Sequence, residues 1–335
     1  MKNLIYFFIF LLIFTACHSN VSDRIVVDEF PLNQVIVPTV MLTDSVILAP
    51  DAMFLMNNQL WIFQRKKNVF FDVFDISDYS HLYSVGMKGQ GPNDFIFPLG
   101  TTIQAENNFF TILDGNILKT VVCPSNREFR IIKSQKTFEQ FPVNGFIKLN
   151  DSLCCSFADC ATNTIGNYEY QMLDMYNGRN YKFSDYPEFL SKKKFDQETR
   201  CQVFSKYIVS NPVKKKFASF YNYYKFIRFY SYDRILEKEI TINISPFQID
   251  DVENWKERFT FYGKPISTNK YIYVSCYANK GEIQVWDWDG NPIICYCLDR
   301  TYSTFTVSEE QNKIYLTSLA ENDLNKIYVF EMTHL

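Results

Sequence analysis

The sequence predicts an all-β protein, a six-bladed β-propeller with a short helical insertion. Three observations carry this. From Asn57 onward, short apolar segments alternate with polar turns at intervals of about 8 to 12 residues, the spacing of an all-β chain. These segments gather into four-strand units with a period of roughly 45 to 55 residues, the outline of propeller blades. Aromatic residues make up 17% of the 335-residue chain, with 32 Phe, 22 Tyr and 4 Trp, an enrichment suited to pleated, packed surfaces. With only 11 Gly and 12 Pro, the turns must lean on Asn, Asp and Ser.

Composition sets further bounds. A hydrophobic fraction of 47% with 21% charged residues excludes disorder and coiled coil. A net charge of -3 provides no field for a polyphosphate backbone, so no nucleic-acid partner is expected.

At the N-terminus, Lys2 precedes the apolar run Leu4 to Phe14, and Thr15-Ala16 stand directly before Cys17. This is a secretory signal peptide over 1–16, too short to span a bilayer as a mature helix. Cys17 after Ala16 resembles the lipobox of bacterial lipoproteins, which implies acylation at Cys17. Acyl chains there would make the membrane a partner and place the protein in the cell envelope, on the periplasmic or outer-membrane side. Residues 17–35 read as a tether and 36–335 as the propeller.

The first unit is Asn58–Gln64, Phe70–Asp75 and His81–Gly86. The second is Phe109–Leu113, Ile117–Val122 and Glu128–Ile132. Phe146–Leu149, Leu153–Phe157, Tyr168–Met175 and Tyr181–Phe183 form a third, and Lys216–Phe220, Phe226–Ser231 and Leu236–Ile240 a fourth. Pro187 to Asn211 interrupts them with apolar residues at three- and four-residue steps from Phe189 to Ile208, a helical spacing, and Lys192 to Lys194 read as its solvated face. Tyr271–Tyr277, Glu282–Trp288 and Ile293–Leu298 are three consecutive strands, with Asp289-Gly290 supplying the tight turn between the last two. Phe305–Ser308, Lys313–Thr317 and Asn325–Glu331 end the chain. About 53 residues per blade fits six blades once the insertion is subtracted. Ring closure predicts that Lys326 to Glu331 shares a blade with a segment around Val46 to Leu55.

Little here points to catalysis. Of three histidines, His18 lies in the tether, His334 is penultimate, and His81 reads as a turn residue. No nucleophile-elbow, zincin or phosphate-loop sequence occurs. Asp287-x-Asp289-Gly290 resembles the start of a calcium loop, but its glycine comes too early and the later Glu is missing, so a hairpin turn is the reading. No metal site and no cofactor are expected. Cys123, Cys154, Cys155, Cys160, Cys201, Cys276, Cys295 and Cys297 read mostly as buried free thiols, with a local Cys155 to Cys160 bridge as the exception.

Two segments resemble the TolB-like six-bladed propellers. Asn211-Pro-Val-Lys-Lys-Lys-Phe-Ala218 is similar to the Pro-Asp-Gly-Lys-Lys turn of such blades, with Val213 and Lys214 where the family carries Asp-Gly. Gly86-Met-Lys-Gly-Gln-Gly-Pro-Asn-Asp-Phe95 resembles the Gly-x-x-Gly-x-Gly-Pro-x-Glu-Phe segment of TolB-like lipoproteins of Bacteroidota, with Asp94 in place of Glu. The resemblance implies the fold more than an activity. As a connector between blades, the segment is expected at the channel mouth. Gly86, Gly89, Gly91 and Pro92 would shape its turn, and Lys88, Gln90, Asn93 and Asp94 would be available to a ligand. The function expected is a membrane-anchored, non-catalytic propeller that binds a protein, peptide or glycan. The alternative is a metal-dependent propeller enzyme of the lactonase or cyclotransferase kind.

Overall fold

The computed structural model describes residues 23–65, 67–124, 128–138, 145–158, 168–190, 194–243, 259–277, 281–318 and 320–332. Six small sheets form a six-bladed β-propeller. Blade 1 runs from inside to outside as Pro50–Met56, Gln59–Gln64, Val69–Asp75 and His81–Met87. Blade 2 is Pro98–Ala105, Phe109–Asp114, Ile117–Val122 and Arg130–Lys136, and blade 3 is Ile147–Lys148, Leu153–Phe157, Tyr168–Asp174 and Asn180–Asp185. Blade 4 is Lys206–Asn211, Lys216–Tyr221, Phe226–Ser231 and Leu236–Ile242, and blade 5 is Ile266–Ser267, Tyr271–Cys276, Glu282–Asp287 and Pro292–Cys297. Blade 6 takes Thr304–Ser308, Lys313–Thr317 and Lys326–Glu331 from the C-terminal region and its outermost strand, Thr39–Leu42, from the N-terminal region.

The hydrophobic core is divided among the interfaces between blades. Phe54, Trp61 and Phe71 meet Phe110, Ile112 and Val121 between blades 1 and 2. Phe229 and Ile240 meet Trp286 and Trp288 between blades 4 and 5, and Met53 and Ile62 meet Tyr315 and Ile327 where blade 1 closes on blade 6. Each buried aromatic stabilises the ring by about 2 kcal/mol through the area it removes from water.

The N-terminal segment corrects the expected tether. Asp23–Val27 adds a parallel strand outside blade 4, and Asn33–Val35 adds another outside blade 5. Only 17–22 of the tether, with Cys17, and the signal peptide 1–16 lie outside the described residues. The physical reason is the outer edge itself. Unpaired N–H and C=O groups on the last strand of a blade recruit a further strand, and Arg24 secures this one with a 2.7 Å ion pair to Glu239.

Closure also differs in register from the expectation. Thr39–Leu42 pairs antiparallel with Lys326–Val329, whereas Pro50–Met56 is the inner strand of blade 1. The insertion is shorter than its helical spacing suggests. A single turn at Glu188–Leu190 precedes the helix Gln197–Val203, capped by Asp196, which accepts the Thr199 N–H at 2.8 Å. Lys206–Asn211 is the inner strand of blade 4. Tyr207 and Ile208 satisfy the three- and four-residue pattern by coincidence, and as an aromatic and a β-branched residue they favour the strand. Lys192 and Lys193 lie outside the described residues.

The cysteines are largely as read. Cys123, Cys154, Cys155, Cys276 and Cys295 are buried free thiols, and Cys297 is a half-buried one. Cys155 points between blades 3 and 4 against Tyr170 and Met172, so it takes part in no bridge to Cys160, which lies outside the described residues. Cys201 is disulfide-bonded. Asp287 accepts N–H bonds from Asp289 and Asn291, making the expected hairpin turn.

Candidate functional site: the central channel

In every blade the inner strand pairs on one side only, so its other edge faces the axis of the ring. Six such edges bound a cavity of about 1140 Å³. Its wall comes from Met53–Met56, Thr101–Ala105, Phe146 and Ile147, Ile208–Asn211, Ile266 and Ser267, and Thr306–Ser308. The wall continues into the hairpins that follow the inner strands, where Asn57, Asn58, Glu106, Asn107, Asn108, Asn269, Glu310 and Gln311 are exposed. That rim of amides and carboxylates is the mouth.

The channel already binds an amide of its own. Gln104 of blade 2 donates from Nε2 to the Lys148 carbonyl at 2.9 Å, and its Oε1 accepts the Lys148 N–H at 2.6 Å. The side-chain amide thus occupies the free edge of blade 3 as a neighbouring peptide group would. Nε2 also donates to Ser210 Oγ of blade 4 at 3.0 Å, and Ser267 of blade 5 donates to the Ser210 carbonyl at 3.1 Å. At the rim Glu309 accepts from Thr268 Oγ1 at 2.7 Å and from the Tyr273 hydroxyl at 3.0 Å.

At the opposite end stands Lys264, just before the inner strand of blade 5. Blade 5 faces blade 2 across a six-membered ring, and Lys264 Nζ donates to the Gly100 carbonyl of blade 2 at 3.1 Å. Its side chain therefore crosses the axis and forms a floor to the cavity. Burial lowers its pKa to about 8, a shift only partly offset by the Asp51 carboxylate. Asp51 is itself paired with Arg65 at 2.9 Å.

The sequence-selected residues occupy another place. Gly86–Phe95 joins the outermost strand of blade 1 to the inner strand of blade 2, at the end where inner strands begin. Lys88, Gln90, Asn93 and Asp94 are absent from the cavity wall. Lys88 and Gln90 are exposed there. Asn93 Oδ1 accepts the Ile131 N–H at 2.9 Å, and Asp94 Oδ2 accepts the Gly91 N–H at 2.9 Å across the turn that contains Pro92. Buried Phe95 pins the segment among Phe70, Phe71 and Phe129. Asp114 accepts the N–H groups of Ile96 and Phe97 and pairs with Lys119 at 2.6 Å, while Lys119 also donates to the Asp94 carbonyl.

Among these glycines only Gly86 has a positive φ, +77°. At Gly91 a Cβ would lie 2.8 Å from Asp94 Oδ2, and the same carboxylate crowds Gly89, so a side chain at either position would displace the end of Asp94.

His81 begins a strand instead of lying in a turn. Its Nε2 is 3.1 Å from Ser84 Oγ and 3.6 Å from Asp72 Oδ1, while Ser84 donates to Asp72 at 2.5 Å. A catalytic triad needs the carboxylate on the other ring nitrogen, with the serine proton directed at the histidine. Neither condition is met.

Comparison with known proteins supports the architecture. A protein of Bacteroides fragilis described only as exported superposes with a TM-score of 0.56 at 9% identity, covering 93% of this chain and 100% of its own. A member of the DUF4221 family from Bacteroides vulgatus superposes at 0.55 with 10% identity, covering 88% and 96%. At such identities the likeness is one of fold. No protein-family model and no curated protein matches the sequence.

Proposed function

We propose that this is an exported, lipid-anchored propeller of the TolB-like lipoprotein group that binds an extended peptide in its central channel without transforming it. The Gln104 pairing carries the reading, because it is an amide hydrogen-bonded on both sides to a free strand edge inside a wide cavity. Peptides commonly bind by adding to such edges, with backbone bonds supplying affinity. Of the ligand classes considered, glycans are less well served. Sugar rings stack on exposed aromatic faces, and the aromatic residues of this wall, Phe54 and Phe146, are buried in the blade interfaces.

The lactonase or cyclotransferase alternative requires several donors converging on one ion. Among the described residues no three His, Cys, Asp or Glu side chains gather in that way. Anchoring rests on Ala16-Cys17.

Two measurements test the proposal. Labelled palmitate should enter the wild type and not Cys17→Ser, and equal labelling would remove the anchor. Purified mature protein should retain peptides from a synthetic hexapeptide library, and Ser210→Trp, which fills the channel, should abolish retention while leaving a cooperative melt. Retention unaffected by Ser210→Trp would place the site elsewhere.

A further inference from the structure

We infer that the channel receives its peptide carboxyl end first, with Lys264 holding the terminal carboxylate at the floor. This rests on the channel being a peptide site and adds polarity and an anchor to it.

Three observations carry the inference. First, among the described residues Lys264 is the cation of the cavity wall, set at its inner end, whereas Glu106, Glu309 and Glu310 stand at the mouth. A chain entering with a negative end finds its counter-charge only after passing the rim. The carboxylates there favour basic or neutral residues upstream of the terminus. Second, an ammonium group has three donors, and the hydrogen bond described for Lys264 is the one to Gly100. Lys264 lines the cavity, and a carboxylate arriving there accepts its further donors in charge-assisted bonds. Third, the dimensions fit. From Met53 to Met56, before the Asn57-Asn58 turn reverses the chain, the wall follows an extended strand for roughly 13 Å. About four ligand residues can lie along the inner-strand edges before the terminus reaches Lys264.

The half-buried ammonium, partly desolvated, carries a cost in stability. A neutral side chain would fill the floor without desolvating a charge, so a charge placed there at the expense of stability points to binding.

The test compares two N-acetylated hexapeptide libraries of the same composition, one with a free carboxyl terminus and one C-terminally amidated. An acidic oligosaccharide, oligogalacturonate, is the third probe. Wild type should retain the free-acid library at least tenfold more than the amide. Lys264→Met should erase the difference while residual retention persists, and Lys264→Arg should restore part of it. Melting curves of both variants establish folding. Equal retention of acid and amide libraries by wild type would overturn the role of Lys264 and leave the channel reading standing. Retention of neither library, or of oligogalacturonate alone, would overturn both.

Discussion

Two lysines of lowered pKa show how the same chemistry serves different ends in this ring. Lys206 opens the inner strand of blade 4, and Lys264 precedes that of blade 5. Burial lowers both to about 8. Lys206 is fully enclosed. It pairs with Glu169 at 2.5 Å, donates to the Phe204 carbonyl at 3.2 Å, and lies within 4.7 to 5.3 Å of the ring centres of Phe157, Tyr170, Tyr221 and Tyr186. Glu169 also accepts from Tyr221 and from Arg228, which in turn holds Glu239 at 2.7 Å. The network joins blades 3 and 4, and Arg24 extends it to the N-terminal strand. Among the described residues Lys264 has one carbonyl partner, and it faces an open cavity. A polar group whose partners are complete supports the fold, and one left incomplete beside a cavity is available to a ligand.

The comparison is most exposed to substitution at Glu169. Glu169→Leu leaves Lys206 buried without its carboxylate and Arg228 with Glu239 alone, and should cost about 3–5 kcal/mol in urea denaturation. A loss under about 1 kcal/mol would mean that the network carries little of the contact between the blades. Lys264→Met should act in the opposite direction, stabilising by up to about 2 kcal/mol at pH 7 through removal of a desolvated charge.

The pH dependence sharpens the contrast. A lysine whose folded pKa is lowered binds fewer protons in the folded state than in the unfolded one. Its penalty is therefore complete below about pH 8 and is relieved as pH rises toward the ordinary lysine value of 10.5. Between about pH 8 and 10 the contribution of both lysines grows more favourable, while the buried thiols of Cys123, Cys154 and Cys155, raised by desolvation, contribute in the opposite direction because they ionise first in the unfolded chain. Relative to Lys264→Met, wild type should therefore gain stability across that range, measured by urea denaturation of both proteins. Above it the buried tyrosines Tyr221 and Tyr230, raised by desolvation, act in reverse, because their protonated forms belong to the folded state.

Smaller effects separate the two ends of the ring. Gly91→Ala should cost about 1 kcal/mol, because Asp94 must give way to the new Cβ. Lys88→Ala and Gln90→Ala should change stability by less than about 0.5 kcal/mol, since neither side chain is buried. A large loss at either position would reveal a structural role that their surroundings do not show.

The middle strands of the blades are plain in the sequence. Gln59–Gln64 and Val69–Asp75, for example, are apolar runs between polar turns, buried within the stacked blades. Inner strands are harder to see because they meet two environments at once. Pro98–Ala105 contains Gly100 and consecutive threonines, Ile266–Ser267 is two residues long, and Lys206–Asn211 merges with a helical pattern. These strands build the channel, so the candidate site is least visible where it matters most. The Gly86–Phe95 motif stands out for the opposite reason. Its turn is locally encoded, in that Asp94 demands the glycines around it. Lys264 leaves no mark in the sequence, since its burial depends on a carbonyl 164 positions away in the chain.

The central claim is that the channel, and not the connector end, holds the ligand. Hydrogen–deuterium exchange of the protein with a retained hexapeptide bound tests it most directly. Amides of Thr101–Ala105, Ile208–Asn211 and the hairpin rim should gain protection, and those of Lys88–Asp94 should exchange as in the free protein. Protection confined to Lys88–Asp94, with the inner strands unchanged, would contradict the account.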